Sequence, residues 1–325
     1  MHRRDFLTIA VAFGVGLAIV APALAQPYPN RPIKMIVAFP PGGPTDTLAR
    51  LTAERLSSAL GQTVIVDNRP GGGGGSVGTK AAATADPDGY TLLVASPSMA
   101  VTPALYKNAG YDPIKSFAPV AMIARSHQIL VVNLAVPVKS IQELVAHAKN
   151  HPGKVYYGSP GHGTGPHLSG EWLKLRAGIE IIHVPYRGNA PAVNDLLAGQ
   201  IQMFFEAGPT VLQLIETGKL RALAVTSERR NPRMPDVPTM IESGFPEFVP
   251  SFWNGVVAPA GTPDVIVNKL NAAINEGLKS PEMQASLAKI GSEPTIGSPQ
   301  DFAALIAAET QKWATVIKAA GIKVD

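Results

Sequence analysis

The sequence predicts an α/β fold in two lobes, each a mostly parallel sheet flanked by helices. Three observations carry this. Short apolar runs alternate with amphipathic stretches, the grammar of a parallel sheet covered by helices. Two of the apolar runs, about 120 residues apart, end in glycine-rich turns that open directly into helix starts. A chain of 325 residues is also long for one hydrophobic core, so two lobes are expected.

The first junction reads Met35-Ile36-Val37-Ala38-Phe39-Pro40-Pro41-Gly42-Gly43-Pro44-Thr45-Asp46. The second reads Val155-Tyr156-Tyr157-Gly158-Ser159-Pro160-Gly161-His162-Gly163-Thr164-Gly165-Pro166. Glycines there let the backbone turn sharply and aim N–H groups at a ligand, while the helix start favours negative charge. One such turn suggests a phosphate site. Two, with no base or nucleophile built into either, suggest an anion gripped from both sides.

Taken in order, residues 33–39 form a buried strand and 45–60 a helix with Leu48, Leu51 and Leu56 on one face. Gly61 stands where a C-terminal cap belongs. A strand over 64–66, a glycine turn over 69–75 and a helix over 77–84 capped by Ser76 follow. Another strand, 90–95, ends at Ser96-Pro97-Ser98. A second cycle opens near Val120. It has strands at 129–132, 155–158, 179–184, 201–205 and 220–225. Its helices are 141–149, 166–177, 189–198 and 209–217. Ser140 and Glu143 form a capping-box pattern ahead of the first of these. The C-terminal part reads as three helices, 263–279, 281–290 and 299–320, each with Pro near its start. They are expected to pack back on the first lobe.

The N-terminus carries Arg3-Arg4-Asp5-Phe6-Leu7, an apolar run to Val20 and Ala23-Leu24-Ala25, a small-x-small cleavage pattern. Residues 1–25 therefore read as an export signal cleaved near Ala25, and Arg-Arg-x-Phe-Leu resembles a twin-arginine signal. No other run reaches about 18 apolar residues, so a soluble mature protein in the periplasm is expected. Absence of cysteine excludes a lipid-modified cysteine, disulfides, and cysteine metal sites or nucleophiles. The formal charge of +4 is scattered, with no basic run. That argues against nucleic acid and suits an anionic ligand.

Several candidate chemistries fail on context. Gly71–Gly75 is not a P-loop, because Thr79 separates Gly78 from Lys80, and Arg69-Pro70 breaks a dinucleotide fingerprint. A turn beside the cleft is its expected role. His162 and His167 lie five apart, but a zinc site needs further ligands and only His183 offers itself, from an apolar strand. No metal and no cofactor are expected. His162, within the second turn, either reaches a bound anion or idles at the surface. Asp46 at a helix start reads more readily as a capping or dipole-pairing carboxylate than as an acid–base group. Glu206, at a strand end, either faces the cleft or caps the next helix. Tyr186 could wall a pocket, and Arg187 either pairs with a carboxylate in bidentate fashion or sits in a surface turn. Trp253 reads as packing near the second crossing between lobes rather than as a pocket wall.

Jointly and in order, these segments resemble the solute-binding receptors of tripartite tricarboxylate transporters, the Bug family, from about Tyr28 to the C-terminus. The signatures are the first junction, Asp67-Asn68-Arg69-Pro70-Gly71, Pro87-Asp88-Gly89-Tyr90-Thr91-Leu92, His183-Val184-Pro185-Tyr186-Arg187-Gly188, Gly218-Lys219-Leu220-Arg221-Ala222-Leu223-Ala224-Val225, Val237-Pro238-Thr239 and Ala258-Pro259-Ala260-Gly261-Thr262-Pro263. The resemblance implies a type II periplasmic binding protein, the Venus-flytrap fold, closing on an organic acid. Lobe 1 would hold 27–126 plus 255–325, and lobe 2 would hold 127–254. It implies ligand contacts at Gly42, Gly43, Thr45 and Asp46, and at Ser159, Gly161, Gly163 and Thr164. Two positions depart from the family pattern: His162 stands where Asn is common, and Glu206-Ala207 where Asp-Asn is common.

The resulting expectation is a monomeric receptor without catalytic activity that delivers a carboxylate to membrane permease subunits. A dicarboxylate is expected to bind best, with its second carboxylate near His162, Arg187 or Ser96. The alternatives are a ligand sensor partnering a membrane kinase, or an α/β enzyme using Asp46 or Glu206 on a carboxylate.

Overall fold

The computed structural model describes residues 28–207, 209–250 and 252–322; the expected export signal lies outside them. In chain order the elements are β1 (Ile33–Val37), α1 (Pro44–Leu60), β2 (Val64–Asn68), α2 (Ser76–Ala83), β3 (Thr91–Ala95), α3 (Pro97–Leu105) and β4 (Phe117–Ser126). Then come β5 (Ile129–Asn133), α4 (Ile141–Asn150), β6 (Val155–Ser159), α5 (Gly165–Ala177), β7 (Ile181–Pro185), α6 (Asn189–Leu197), β8 (Met203–Glu206), α7 (Pro209–Glu216) and β9 (Leu220–Val225). The chain ends with β10 (Phe252–Pro259), α8 (Asp264–Lys279), α9 (Pro281–Lys289), β11 (Ser292–Pro294) and α10 (Pro299–Ala320).

The strands form two sheets, β11-β4-β10-β3-β1-β2 and β7-β6-β8-β5-β9. Each holds a parallel trio, β2-β1-β3 or β7-β6-β8. A reversed strand, β10 or β5, joins that trio to a strand running its way, β4 or β9. Most strands thus share one direction, as expected, although the ladders are mixed. The chain crosses on these two reversed strands: β5 follows β4 out of the first sheet, and β10 returns from the second, while the short edge strand β11 also runs against β4. Each parallel trio places its strand-to-helix turns at one edge, the usual ligand edge of such sheets.

Burial follows the apolar periodicity. Ile33, Met35 and Val37 of β1 pack with Leu48 and Leu56 of α1 and with Leu270 and Ile274 of α8. In the second lobe Leu130, Tyr157, Met203 and Phe205 pack with Ile141 and Leu144 of α4 and Leu173 of α5. Gly61 caps α1 in the left-handed conformation, and the Ser140 hydroxyl accepts the Glu143 N–H. Glu143 itself reaches the Lys139 N–H rather than that of Ser140, so the capping box is only half formed.

Several elements depart from the sequence expectation. Helix α3 follows Ser96, where only a strand end was read; its run Met99-Ala100-Val101 is buried throughout and so carries no amphipathic stripe. The strand near Val120 belongs to the first sheet, not to the second cycle. β10 starts at Phe252, pairing with Ser126, so residues 252–254 join the first sheet ahead of the boundary expected at 255. Gly75, not Ser76, is the N-cap of α2. The C-terminal helices do more than cover lobe 1: Trp313 and Ile317 of α10 pack with Val101 and Leu105 of α3 and also with Leu168 of α5. Helix α10 therefore spans both lobes. No helix among the described residues is long and apolar enough to cross a membrane.

The return crossing is packed, as the sequence suggests for Trp253. This side chain is fully buried and meets Phe302 of α10 edge-on, with ring centroids 5.4 Å apart. A Cβ at Gly255 would lie 2.3 Å from the Phe302 ring, so glycine there is what lets the ring approach. Replacing a buried Phe by Ala removes about 3–5 kcal/mol. Phe302→Ala is therefore expected to lower the unfolding free energy by about that amount, read by urea denaturation.

Candidate ligand-binding site

A cavity of about 210 Å³ lies where the two sheets face each other. It is smaller than the roughly 300–1,000 Å³ of drug-sized pockets and so suits a compact metabolite. Four helix N-termini surround it. Gly42, Gly43 and Thr45 begin α1, and Ser96 and Ser98 begin α3. Across from them, Thr164 and Pro166 begin α5, and Gly188 and Asn189 begin α6. First-turn N–H groups have no intrahelical partner, so each terminus offers donors and positive potential. The sequence indicated two of these four.

The first turn is held from behind. Gly42 has φ +86°, a left-handed conformation that side chains disfavour. Its N–H donates to Asp46 Oδ2 at 2.9 Å. Arg50 grips both Asp46 oxygens, and Asn68 ties Asp46 Oδ1 to the Phe39 carbonyl. Burial alone would raise the Asp46 pKa. The hydrogen bonds from Arg50, Gly42 and Asn68, with the Arg50 charge, outweigh it and hold the carboxyl below its usual range. Thr45 is positioned by Asn254 of β10, whose amide reaches both Thr45 Oγ1 and the Ala95 carbonyl at 3.3 Å.

The second turn is braced in the same manner. Ser159 Oγ accepts the Gly161 N–H at 3.1 Å and contacts His183 Nε2 at 2.6 Å, while Thr164 Oγ1 donates to the Gly161 carbonyl. Gly161 and Gly163 both have positive φ.

Of the residues expected at the site, Gly42, Gly43, Thr45, Ser96, Thr164, Arg187 and Glu206 line the cavity. Asp46, Ser159, Gly161, His162, Gly163 and Tyr186 do not. Asp46 and Ser159 are used up in building the turns. Tyr186 points into the second lobe, its hydroxyl donating to Asp195 at 2.7 Å. The His162 ring turns away toward His167 and His183, with centroids 5.3 and 4.8 Å distant. The sequence offers these same three histidines but favours no metal site; their ligating atoms nevertheless lie within 4.8 Å of one another. The glycine run 71–75 is not a cavity loop either. A Cβ on Gly74 would sit 2.2 Å from Thr102 Oγ1 and 3.5 Å from the His162 carbonyl, so the run is a close contact between α3 and the second turn.

Sequence reasoning missed Ser98, Gln128, Asn189 and Phe252. The pair Ser96-Pro97 is a helix-start signal that could have revealed Ser98. Gln128 lies in the crossing between β4 and β5, where nothing in the sequence marks it. Ser169 donates to its Oε1, which leaves the amide N–H₂ free beside the start of α5.

The polar groups of the cavity fall into two sets. One is neutral: Ser96 and Ser98 hydroxyls without partners among the described residues, the Gln128 amide and Thr164. The other holds the charge-bearing groups. Arg187 is exposed and makes no ion pair among the described residues. Glu206 is 3% exposed and accepts hydrogen bonds from Asn189 Nδ2 and the Ala207 N–H. Burial pushes its pKa up to about 8 despite those two bonds, so it is mostly protonated at neutral pH.

A small cavity walled by helix N-termini from two opposed α/β sheets, with hydrogen-bond donors in excess, defines a two-lobed binding protein for an anionic ligand. Comparison with known proteins gives it a family. The model of the tripartite tricarboxylate transporter family receptor matches residues 48–322. Protein BugT of Bordetella pertussis is 42% identical over 325 residues, covering 99% of each chain. Among solved structures, R. palustris Rpa4515 with adipate is 39% identical with a TM-score of 0.86, covering 91% of this chain and 99% of that one. MatC from Rhodopseudomonas palustris with bound malate is 31% identical with a TM-score of 0.84, covering 89% and 100%. The chain belongs to the tripartite tricarboxylate transporter receptors, the Bug family.

Two outcomes follow from the buried carboxyls. Asp46→Asn loses hydrogen bonds to a charged acceptor, each about 1.5–3 kcal/mol. It is expected to lower the melting temperature at pH 7, and that difference should fade as pH falls from the ordinary aspartate value of 3.8 through the lower native one. Glu206 has the opposite sign. The unfolded chain releases this proton near 4.5 and the native one near 8. Its contribution is therefore full below about 4.5 and gone above about 8. Glu206→Gln should flatten the stability decline between pH 5 and 8, measured by urea denaturation at both.

Proposed function

We propose that this receptor captures a small dicarboxylate between its lobes and passes it to membrane permease subunits. The observation that carries the reading is Arg187: a guanidinium without an ion partner among the described residues shares one cavity with the N-termini of α1, α3, α5 and α6. One carboxylate would sit between the turns at Gly42, Gly43, Thr45 and Thr164, with Ser96, Ser98 and Gln128 completing its shell. The other would pair with Arg187, next to Asn189 and a protonated Glu206. Carboxylate binding in the related structures with adipate and malate supports the class of ligand. The lobes would be 27–126 plus 252–325 and 127–251, and closure would be driven by a ligand touching both. Export through the N-terminal signal, a monomeric state and delivery without chemical change complete the reading. The excess of donors over any base or nucleophile in the cavity favours binding over turnover.

Calorimetric titration with adipate, malate and succinate, and with the matched monocarboxylates, tests this. A diacid is expected to bind more tightly than its monoacid and to be recovered unchanged. Arg187→Ala should weaken the diacid by about 10–100-fold, the scale of a charged hydrogen bond, and leave the monoacid nearly unaffected. No heat from any diacid, or equal losses for both acids in the variant, would reject the assignment; consumption of the ligand would turn the reading toward an enzyme.

A further inference from the structure

Behind the second glycine turn, on the side away from the cavity, three histidines converge from separate elements. His162 comes from the turn itself, His167 from the first turn of α5 and His183 from β7. Parallel pairing of β6 with β7 sets His183 opposite Tyr157, two residues before Ser159, and so beneath the turn. The ring centroids are 4.2, 4.8 and 5.3 Å apart, and none of the three lines the cavity.

We infer that His162, His167 and His183 form a binding site for a divalent transition metal of the zinc class. A tetrahedral ion about 2.0–2.1 Å from each imidazole nitrogen sets those nitrogens about 3.4 Å apart and the ring centres about 5 Å apart. Two of the three centroid distances, 4.8 and 5.3 Å, match that spacing, and the 4.2 Å pair, His167 and His183, would open slightly. The ligating atoms of all three, within 4.8 Å of one another, then need only turn inward. Neutral imidazoles suit zinc, copper or nickel and not magnesium or calcium, which take oxygen.

The surroundings fit the same reading. Ser159 Oγ lies 2.6 Å from His183 Nε2 and 3.0 Å from the Gly161 carbonyl, so it can accept from the imidazole while its own proton goes to that carbonyl. With an ion on Nδ1 of His183, Nε2–H would donate to this hydroxyl, the kind of outer partner a metal-bound histidine usually has. His162 Nδ1 is enclosed and has no hydrogen-bond partner. Glu171, which interacts electrostatically with His162, brings negative charge to offset a dication. His167 Nδ1 accepts the Gly163 N–H at 3.1 Å. An ion bound to that lone pair replaces the amide bond, so occupancy acts directly on the backbone of the turn that opens α5.

The test uses untagged protein, since a histidine tag would bind the same ions. The chain is stripped with a chelator and titrated with Co²⁺ under visible absorption, then with Zn²⁺ in competition. One equivalent of Co²⁺ is expected to give ligand-field bands that Zn²⁺ abolishes. Zn²⁺ should also raise the melting temperature. His162→Asn, a polar replacement in a turn, is expected to weaken Zn²⁺ by at least about 10-fold, the scale on which even outer partners act. His183→Gln should do the same, and if it does not fold then His162→Asn decides alone. Absence of cobalt bands in the folded wild-type chain overturns the site. So does Zn²⁺ affinity unchanged in His162→Asn, which would mark an unrelated surface site. Neither result bears on the dicarboxylate reading, whose residues lie on the other side of the turn.

Discussion

Unpaired N–H groups at helix starts are the constraint around which this molecule is arranged. Every strand-to-helix junction of a parallel sheet leaves such donors, and burying them without an acceptor is costly. Here two sheets turn their junction edges toward each other, so α1 and α3 face α5 and α6 across one cavity. Among the described residues lining that space, the charge-bearing groups are Glu206 and Arg187. Glu206 is a carboxyl, but its burial keeps it largely neutral, and Arg187 adds a cation. A bound anion is the natural partner for this excess, and its contacts with both lobes would favour the closed arrangement.

The turns that present these donors are rigid because buried side chains hold them from outside the cavity. Asp46 joins Gly42, Arg50 and Asn68, and Ser159 joins Gly161 and His183. In both cases a polar residue for which the family resemblance implies a ligand contact is spent on the shape of the loop, in line with the structural role that a carboxylate at a helix start suggests for Asp46. Positioning and contact are thus divided between residues. Substitutions at Asp46 or Ser159 would act through the geometry of the turn, whereas those at Thr45 or Thr164 would act on the ligand directly.

The lobes are also joined behind the cavity. Helix α10 lays Trp313 and Ile317 across α3 and α5, and Gly74 lies close to both Thr102 and the carbonyl of His162. The absence of a Cβ at Gly74 is what permits that approach. His162 therefore stands at a junction of three things: the second turn, the opposite lobe and the histidine cluster. Its ring lies against His167 and His183 and does not line the cavity, so any influence on binding would be exerted through the turn.

Much of the local structure was legible in the chain. Alternating periodicity, Gly61 after α1, Ser140 before α4 and the two glycine turns depend on neighbouring residues, and short-range sterics and hydrogen bonding determine them. The family signatures added the order of the lobes. What only tertiary structure decided were long-range matters. Helix α3 was hidden because Met99, Ala100 and Val101 are all buried and the residues it leaves partly or fully exposed, Pro103 and Ala104, are apolar, so there is no polar face to read. Gln128 and Phe252 enter the cavity because β5 and β10 cross between sheets there. Tyr186 and His162 leave it because their neighbours, Asp195 and the other two histidines, are brought to them by packing. The sequence determined which turns could hold an anion; the packing of two sheets decided which side chains face it.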